Sequence, residues 1–262
     1  MLDKLDKNLL TTELIETGYT IIPNYLDEND LNVIKKSFSK TLDYIKKNNL
    51  NTLQEKYYYI KEHNRKLKGN FYKLSAFNLD MINFLHNPVL INFIKNFYKT
   101  DVLFSGRAAV HIHDDENMHL LDPHQETSQI AVNSILLWIP LYDTNKNTGG
   151  LTVYENSHKH GYFEHTLEHP RLGDKAWTKE YTHVSPEIAS RFKKINLEIN
   201  AGSAVLVQSA VLHCGYPNLT KDFARFVITE RFNPLLKIPY LRKEDAPLKI
   251  PFTGVDYNAI ED

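Results

Sequence analysis

The pattern of apolar residues changes near Asp101, and that change constrains the fold more than any other feature of the chain. Before it, apolar side chains recur at steps of three and four; after it, they alternate or run in short blocks separated by turns. Leu10 to Thr17 reads as a short helix stopped by Gly18, with Thr20-Ile21-Ile22 following as a strand. Asp27 or Asp30 caps a second helix, whose apolar stripe is Leu31, Ile34, Phe38, Leu42 and Ile45. Met81 to Tyr98 repeats the helical period through Leu85, Val89, Ile91, Phe93, Ile94 and Phe97. Between these helices, Tyr57 to Lys73 is aromatic and basic without clear periodicity and reads as a loop-rich cover.

Beyond Asp101 the expected strands follow one another. Val102 to His113 is extended, with Arg107, Ala109, His111 and His113 on one face. Ile130 to Tyr142 contains the apolar run SILLWIPL, and Gly149-Gly150 turns into Leu151 to Tyr154. Leu197 to His213 holds AVLV and then AVLH; Phe223 to Phe232 alternates, with Arg225, Val227, Thr229 and Arg231 on one face. Helices first and many strands afterwards predict an α+β chain whose functional half is a β-sandwich or barrel. There is no repeat, low-complexity tract or linker, so residues 1–262 read as one domain, a size that all-β domains reach.

Apolar residues at 42% and charged residues at 24% supply an ordinary core. A net charge of −1 offers no general basic field for nucleic acid or an anionic membrane. No apolar run is long enough to span a bilayer, and the start MLDKLDKNLL lacks the basic-then-apolar order of a signal peptide. The cytoplasm is therefore the expected compartment. A single cysteine, Cys214, rules out an internal disulfide framework and is expected to pack, and Asn218-Leu219-Thr220 reads as a polar turn. No residue pattern sets an oligomeric state.

The chemistry concentrates in His124-Gln125-Glu126. In an extended segment, residues two apart share a face, so His124 and Glu126 can bind one metal from a single strand end. His213 is the best third ligand, read as ending the strand AVLVQSAVLH before the turn Gly215-Tyr216-Pro217-Asn218. Two histidines and a carboxylate occupy one face of iron(II) and leave the opposite positions open. Arg225 supplies a fixed positive charge for a dicarboxylate cosubstrate. A lone His-x-Glu occurs often by chance; the plainer readings are a buried His213 bonded to a turn carbonyl and an Arg225 on an edge strand. Arg231 is the second candidate for the anion, ranked below Arg225 because it lies farther from His213. His111 either faces the cleft and touches cosubstrate or substrate, or sits on a solvated face, as does His113. His158, His160 and His165 have ligand-like spacing but are not expected to bind a second metal. Trp138 is expected in the core.

In combination these motifs resemble the phytanoyl-CoA dioxygenase-like family of iron(II)/2-oxoglutarate oxygenases. His124-Gln125-Glu126, His213 and Arg225 look like that family's ligand and anion positions. Trp138-Ile139-Pro140-Leu141-Tyr142-Asp143, Gly149-Gly150-Leu151, Asn156-Ser157-His158, Gly202-Ser203, Pro217-Asn218 and Gly18-Tyr19-Thr20-Ile21-Ile22-Pro23 are similar to its other phrases. The resemblance covers nearly the whole chain. It implies a double-stranded β-helix, a cupin-like jelly-roll, with the N-terminal helices packed on one sheet. It also implies iron(II) on His124, Glu126 and His213, and 2-oxoglutarate with its far carboxylate on Arg225; the strand position of His111 makes it the second expected cofactor-binding residue. With O2, such a site hydroxylates a small molecule and releases succinate and CO2. Two departures stand out. Glu126 replaces the usual Asp, and its carboxylate argues against the halogenating relatives, which lack one. Gly215 stands where a hydroxyl often helps hold the cosubstrate, a role open to Thr229 or Tyr216. A non-oxidative cupin-like metal-binding or isomerase module and a catalytically degenerate member are the alternatives. The Tyr57 to Lys73 region, with Arg65 and Lys73, could line the entrance, although solvated surface lysines are the plainer reading.

Overall fold

The computed structural model describes residues 6–63, 65–104, 108–115, 122–126, 133–166 and 183–235. The helical half begins with α1 (Lys7–Thr17), stopped by Gly18 in the left-handed conformation, and β1 (Tyr19–Ile22). Helix α2 (Glu28–Ile45) starts in a capping box that uses both expected acids: Asp27 caps, and Asp30 reaches back to the Asp27 amide. Its Leu31, Ile34, Phe38 and Leu42 are buried, as the stripe predicts.

Two expectations fail in this half. Tyr57 to Lys73 is not a loop-rich cover but two helices, α3 (Leu53–His63) and α4 (Arg65–Ser75). Their buried face is written in aromatics and in lysine stems: Tyr57, Ile60, Phe71 and Lys56 are buried, and the side chain of Lys61 is only 7% exposed. A polar-tipped residue such as lysine hides its apolar stem from a periodicity reading. Met81 to Tyr98 is two helices, α5 (Leu79–Leu85) and α6 (Pro88–Tyr98). Pro88 cannot continue a helix but suits its first turn, and Asn87 caps the new one by accepting from the Val89 amide.

The remaining strands are β2 (Val102–Phe104), β3 (Ala109–His113), β4 (Ile135–Pro140), β5 (Gly150–Tyr154), β6 (His165–Thr166), β7 (His183–Val184), β8 (Lys194–Leu197), β9 (Ala204–Gln208), β10 (His213–Tyr216) and β11 (Arg225–Pro234). A four-residue α7 (Pro186–Ala189) precedes β8. The large antiparallel sheet runs β1-β9-β4-β11, and β11 pairs along its other edge with both β3 and β2. The small sheet is β10-β5-β8. The stretch Leu197 to His213 is thus not continuous: a turn after Gln208 carries the chain from one sheet to the other, and His213 opens β10 instead of closing a strand. Ile130 and Arg107 lie outside the described residues.

Every residue of β4 and β11 is buried, because both faces of the large sheet are covered. Toward the small sheet, Leu136, Trp138, Val205, Val207 and Val227 meet Leu151, Val153 and Leu197. On the other face, Ile135, Leu137, Ile139, Phe226, Ile228 and Phe232 pack under the helices. Phe226 anchors that contact: its ring lies 5.5 Å from Tyr57 and 6.2 Å from Phe71. Two facing sheets with the N-terminal helices against one of them form the expected α+β jelly-roll, without closing into a barrel. No helix among the described residues is long and apolar enough to cross a membrane.

Candidate metal and anion centre

Inside the sandwich, at the end of β10, the structure brings His124, Glu126 and His213 together; one ligand atom from each lies within 4.8 Å of the others. The backbones of His124 and His213 form a reciprocal antiparallel bridge, each N–H donating to the other's carbonyl at 3.0 Å. Directly paired residues place their side chains on one face, which sets the imidazoles side by side with centroids 4.5 Å apart. Each ring donates from Nδ1 to a carbonyl two residues earlier: His124 to Asp122 at 2.8 Å and His213 to Val211 at 3.0 Å. A carbonyl only accepts, so Nδ1 carries a proton, and in the neutral ring this tautomer presents the Nε2 lone pair. Glu126 Oε1 lies 3.3 Å from Nε2 of His213 and 3.8 Å from that of His124. Its other oxygen accepts a 2.7 Å hydrogen bond from Nε of Arg231, on β11. Burial alone would raise the Glu126 carboxyl, but Arg231, with the two histidines, outweighs it and holds the group well below its usual range. Burial, helped by His124, keeps His213 below its ordinary value. The centre brings an ionised carboxylate together with the Nε2 atoms of two imidazoles, the donor types of a facial metal triad.

Along β11 from Arg231, Arg225 points into the same inter-sheet space. It is 2% exposed; Nη1 donates to the carbonyls of Thr148 at 3.3 Å and Tyr216 at 3.4 Å, while Nε has no hydrogen-bond partner among the described residues. Burial lowers its pKa to about 10, which leaves it charged at neutral pH. Among the described residues no carboxylate pairs with this buried cation, so the place suits a negatively charged group. Gly149 makes room for it: at φ +71° it already favours glycine, and a Cβ there would strike the Arg225 guanidinium and lie 2.5 Å from the Tyr216 carbonyl. His111 sits opposite Val227, with Nε2 3.1 Å from the Thr229 hydroxyl. Burial, with Arg231 adding to it, lowers its pKa to about 4. His113 sits opposite Arg225 in register.

The sequence profile described as phytanoyl-CoA dioxygenase (PhyH) matches residues 14–227. The chain belongs to the phytanoyl-CoA dioxygenase family. Solved structures agree at the level of fold. The epimerase SnoN, in complex with Fe3+, alpha ketoglutarate and nogalamycin RO, superposes with a TM-score of 0.61 at 13% identity, covering 95% of this chain and 92% of SnoN. The non-heme alpha ketoglutarate dependent carbocyclase SnoK, from nogalamycin biosynthesis, gives 0.60 at 13% identity over 89% of this chain and 85% of its own. The non-heme monooxygenase ThoJ gives 0.60 at 16% identity over 86% and 77%.

Within this phytanoyl-CoA dioxygenase family member, the residues singled out from sequence fall into clear places. His124, Glu126 and His213 converge; Arg225 and His111 face the same interior. Arg231 is not a spare anion partner, because it is bonded to Glu126. Tyr216 cannot lend its hydroxyl to a cosubstrate: it donates to the Leu197 carbonyl at 2.9 Å. His158 belongs to a turn and bonds through Nε2 with the carbonyl of Ile15 at 3.1 Å. Trp138 and Cys214 are buried packing residues. Lys73 is exposed. The side chains of Arg65 and His165 lie outside the described residues. Sequence reasoning missed Gln125, which is fully buried between the ligands. Its amide donates to the carbonyls of Gly161 and Ala210, and its oxygen accepts from the Phe163 amide at 2.8 Å. A polar residue between two ligands, forced by strand alternation to the opposite face, is a signal that could have found it.

Proposed function

We propose that the protein is an iron(II)- and 2-oxoglutarate-dependent oxygenase that hydroxylates a small molecule, with release of succinate and CO2. The observation that carries this reading is Arg225, a buried cation with an unpartnered Nε in the same interior as a two-histidine, one-carboxylate cluster. Of the readings weighed, only the oxygenase needs a dicarboxylate cosubstrate for that cation to hold. The metal and cosubstrate known in the SnoN complex, and the monooxygenase activity named for ThoJ, support the same class.

The residues fit the groups. His124, Glu126 and His213 would hold the iron, and Arg225 would take the far carboxylate of 2-oxoglutarate, where a planar guanidinium serves better than a lysine. Bound together, iron, cosubstrate and O2 supply the oxidation of a substrate C–H. The chain's own work is to hold and to shield. Arg231 pins one Glu126 oxygen so that the other faces the histidines. The Nδ1 bonds keep both imidazoles presenting Nε2. Because the carboxylate is ionised and His213 unprotonated near neutrality, metal binding displaces little proton there. Trp138, Val227 and Leu136 give the interior a dry apolar wall.

The deciding experiment is an anaerobic titration of the apoprotein with iron(II) and then 2-oxoglutarate, followed by the visible charge-transfer band of a chelated keto acid. A band that needs both components and vanishes in His213→Ala is the expected result. Iron binding without a band would place the non-oxidative metal module ahead, and no metal binding would mark the protein as degenerate. SnoN and SnoK are an epimerase and a carbocyclase, which favours as second reading an oxidation without oxygen insertion. Product mass separates the two outcomes once a substrate is in hand.

A further inference from the structure

One polar atom in the interior is as conspicuous as Arg225 Nε. His113, on β3, lies directly opposite Arg225 in the antiparallel register, so the two side chains leave the same face of the sheet with Cβ atoms roughly 5 Å apart. Its Nδ1 is shielded from solvent and has no hydrogen-bond partner among the described residues. The backbone around it is braced: Asn218 Nδ2 donates to the His113 carbonyl at 3.0 Å and to that of Phe223 at 2.7 Å, which ties β3 to the turn entering β11. Two buried nitrogens, side by side and both without partners, are an unusual expense in a folded protein, and a ligand that accepts from both removes it.

Among the described residues, the other candidates for a second donor are committed or out of place. Gly215, on the facing strand β10, has no side chain to offer. The Tyr216 hydroxyl is bonded to Leu197, and Thr229 lies farther along β11, against His111. Arg225 Nη1 faces the Thr148 and Tyr216 carbonyls, which leaves Nε toward the unclaimed space.

The geometry points to His113 as the second donor of a carboxylate cradle: with Nδ1 protonated, it and Arg225 Nε together hold the far carboxylate of the keto-acid cosubstrate. This rests on the oxygenase reading and adds to it a binding residue that fixes which keto acids are accepted. Burial and the neighbouring Arg225 hold His113 well below its ordinary pKa, so it enters as a neutral ring with a single N–H to give. A hydrogen bond to a charged group is worth enough to change affinity about tenfold to a hundredfold.

The test is anaerobic titration of the iron-loaded protein with two keto acids, read by the charge-transfer band. One is 2-oxoglutarate; the other is 2-oxobutyrate, which has the same chelating head and no far carboxylate. His113→Ala is expected to weaken 2-oxoglutarate at least tenfold and to leave 2-oxobutyrate within about twofold. His113→Gln, which keeps an N–H donor, recovers much of the loss, and His113→Phe, which keeps the ring volume, does not. Unchanged 2-oxoglutarate affinity in His113→Ala and His113→Phe overturns the cradle. Equal weakening of both keto acids also overturns it, by showing that His113 only supports the fold. If the parent protein itself forms no band with 2-oxoglutarate, the oxygenase reading falls and takes the cradle with it.

Discussion

Replacing Arg231 by methionine isolates the ion pair behind the metal centre. Arg231 is 8% exposed and Glu126 3%, and the bond between them is 2.7 Å long. Methionine fills the arginine stem and deletes the charge, leaving a carboxylate buried without its main partner. Breaking one side of a buried pair costs about 3–5 kcal/mol, far more than an exposed pair would. At about 2–4 °C per kcal/mol for a chain of this size, the metal-free variant should melt about 6 °C or more below the parent at pH 7.5. The sign of its pH dependence follows. In the parent, Glu126 titrates below its ordinary value, so its contribution is present above about pH 4.3 and is lost only as pH falls through the folded value. In the variant, burial is left largely unopposed and the carboxyl titrates above that value. Its penalty is then felt when it is ionised, so the deficit relative to the parent should shrink between pH 7.5 and 5.5. Thermal unfolding by circular dichroism at both pH values measures this. The double variant Arg231→Met with Glu126→Gln should recover most of the loss, since no charge is left to bury. A single variant melting within about 2 °C of the parent, or a double variant no better than the single, would refute the reasoning.

Other outcomes follow from the same structure. His111, with a folded pKa lowered to about 4, and His213, lowered by burial, bind fewer protons folded than unfolded between about pH 4 and 6.5. Stability should therefore rise with pH across that window, and urea midpoints should fall as the apoprotein is acidified below pH 6.5. Gly149→Ala should weaken 2-oxoglutarate binding more than tenfold while iron binding persists, because its Cβ would displace Arg225 but not the triad; equal affinity by the band titration would disprove the packing argument. Phe226→Ala should cost about 3–5 kcal/mol in chemical denaturation, since the ring is fully buried beneath Phe38, Tyr57 and Phe71.

The parts legible in the sequence are those governed by local rules. The α2 stripe, the Gly18 stop and the alternation that puts Arg225 and Arg231 on one face are backbone geometry written out in residue type. His124, Glu126 and His213 were legible because strand spacing and family phrases agree. What was missed depends on tertiary contact. The α3 and α4 face is written in tyrosines and lysine stems, whose burial no residue scale anticipates. The distance of Arg231 from His213 along the chain gave no sign of its bond to Glu126, because a strand crossing the interior brings both ends of its inward face to groups from other segments. Gln125 and His113 announce themselves only through partners, present or missing, that fold in from elsewhere.

The reciprocal bridge between His124 and His213 also bears on what binding an ion would cost the protein. Both rings are moored by their own chain, each to a carbonyl two residues back, and the two moorings are stitched to each other through the backbone. Little conformational entropy remains to be surrendered when an ion arrives, so its affinity goes into the bond and not into ordering the site. Unlike a zinc finger, whose fold depends on its ion, this site draws its order from ring and backbone hydrogen bonds that involve no ion.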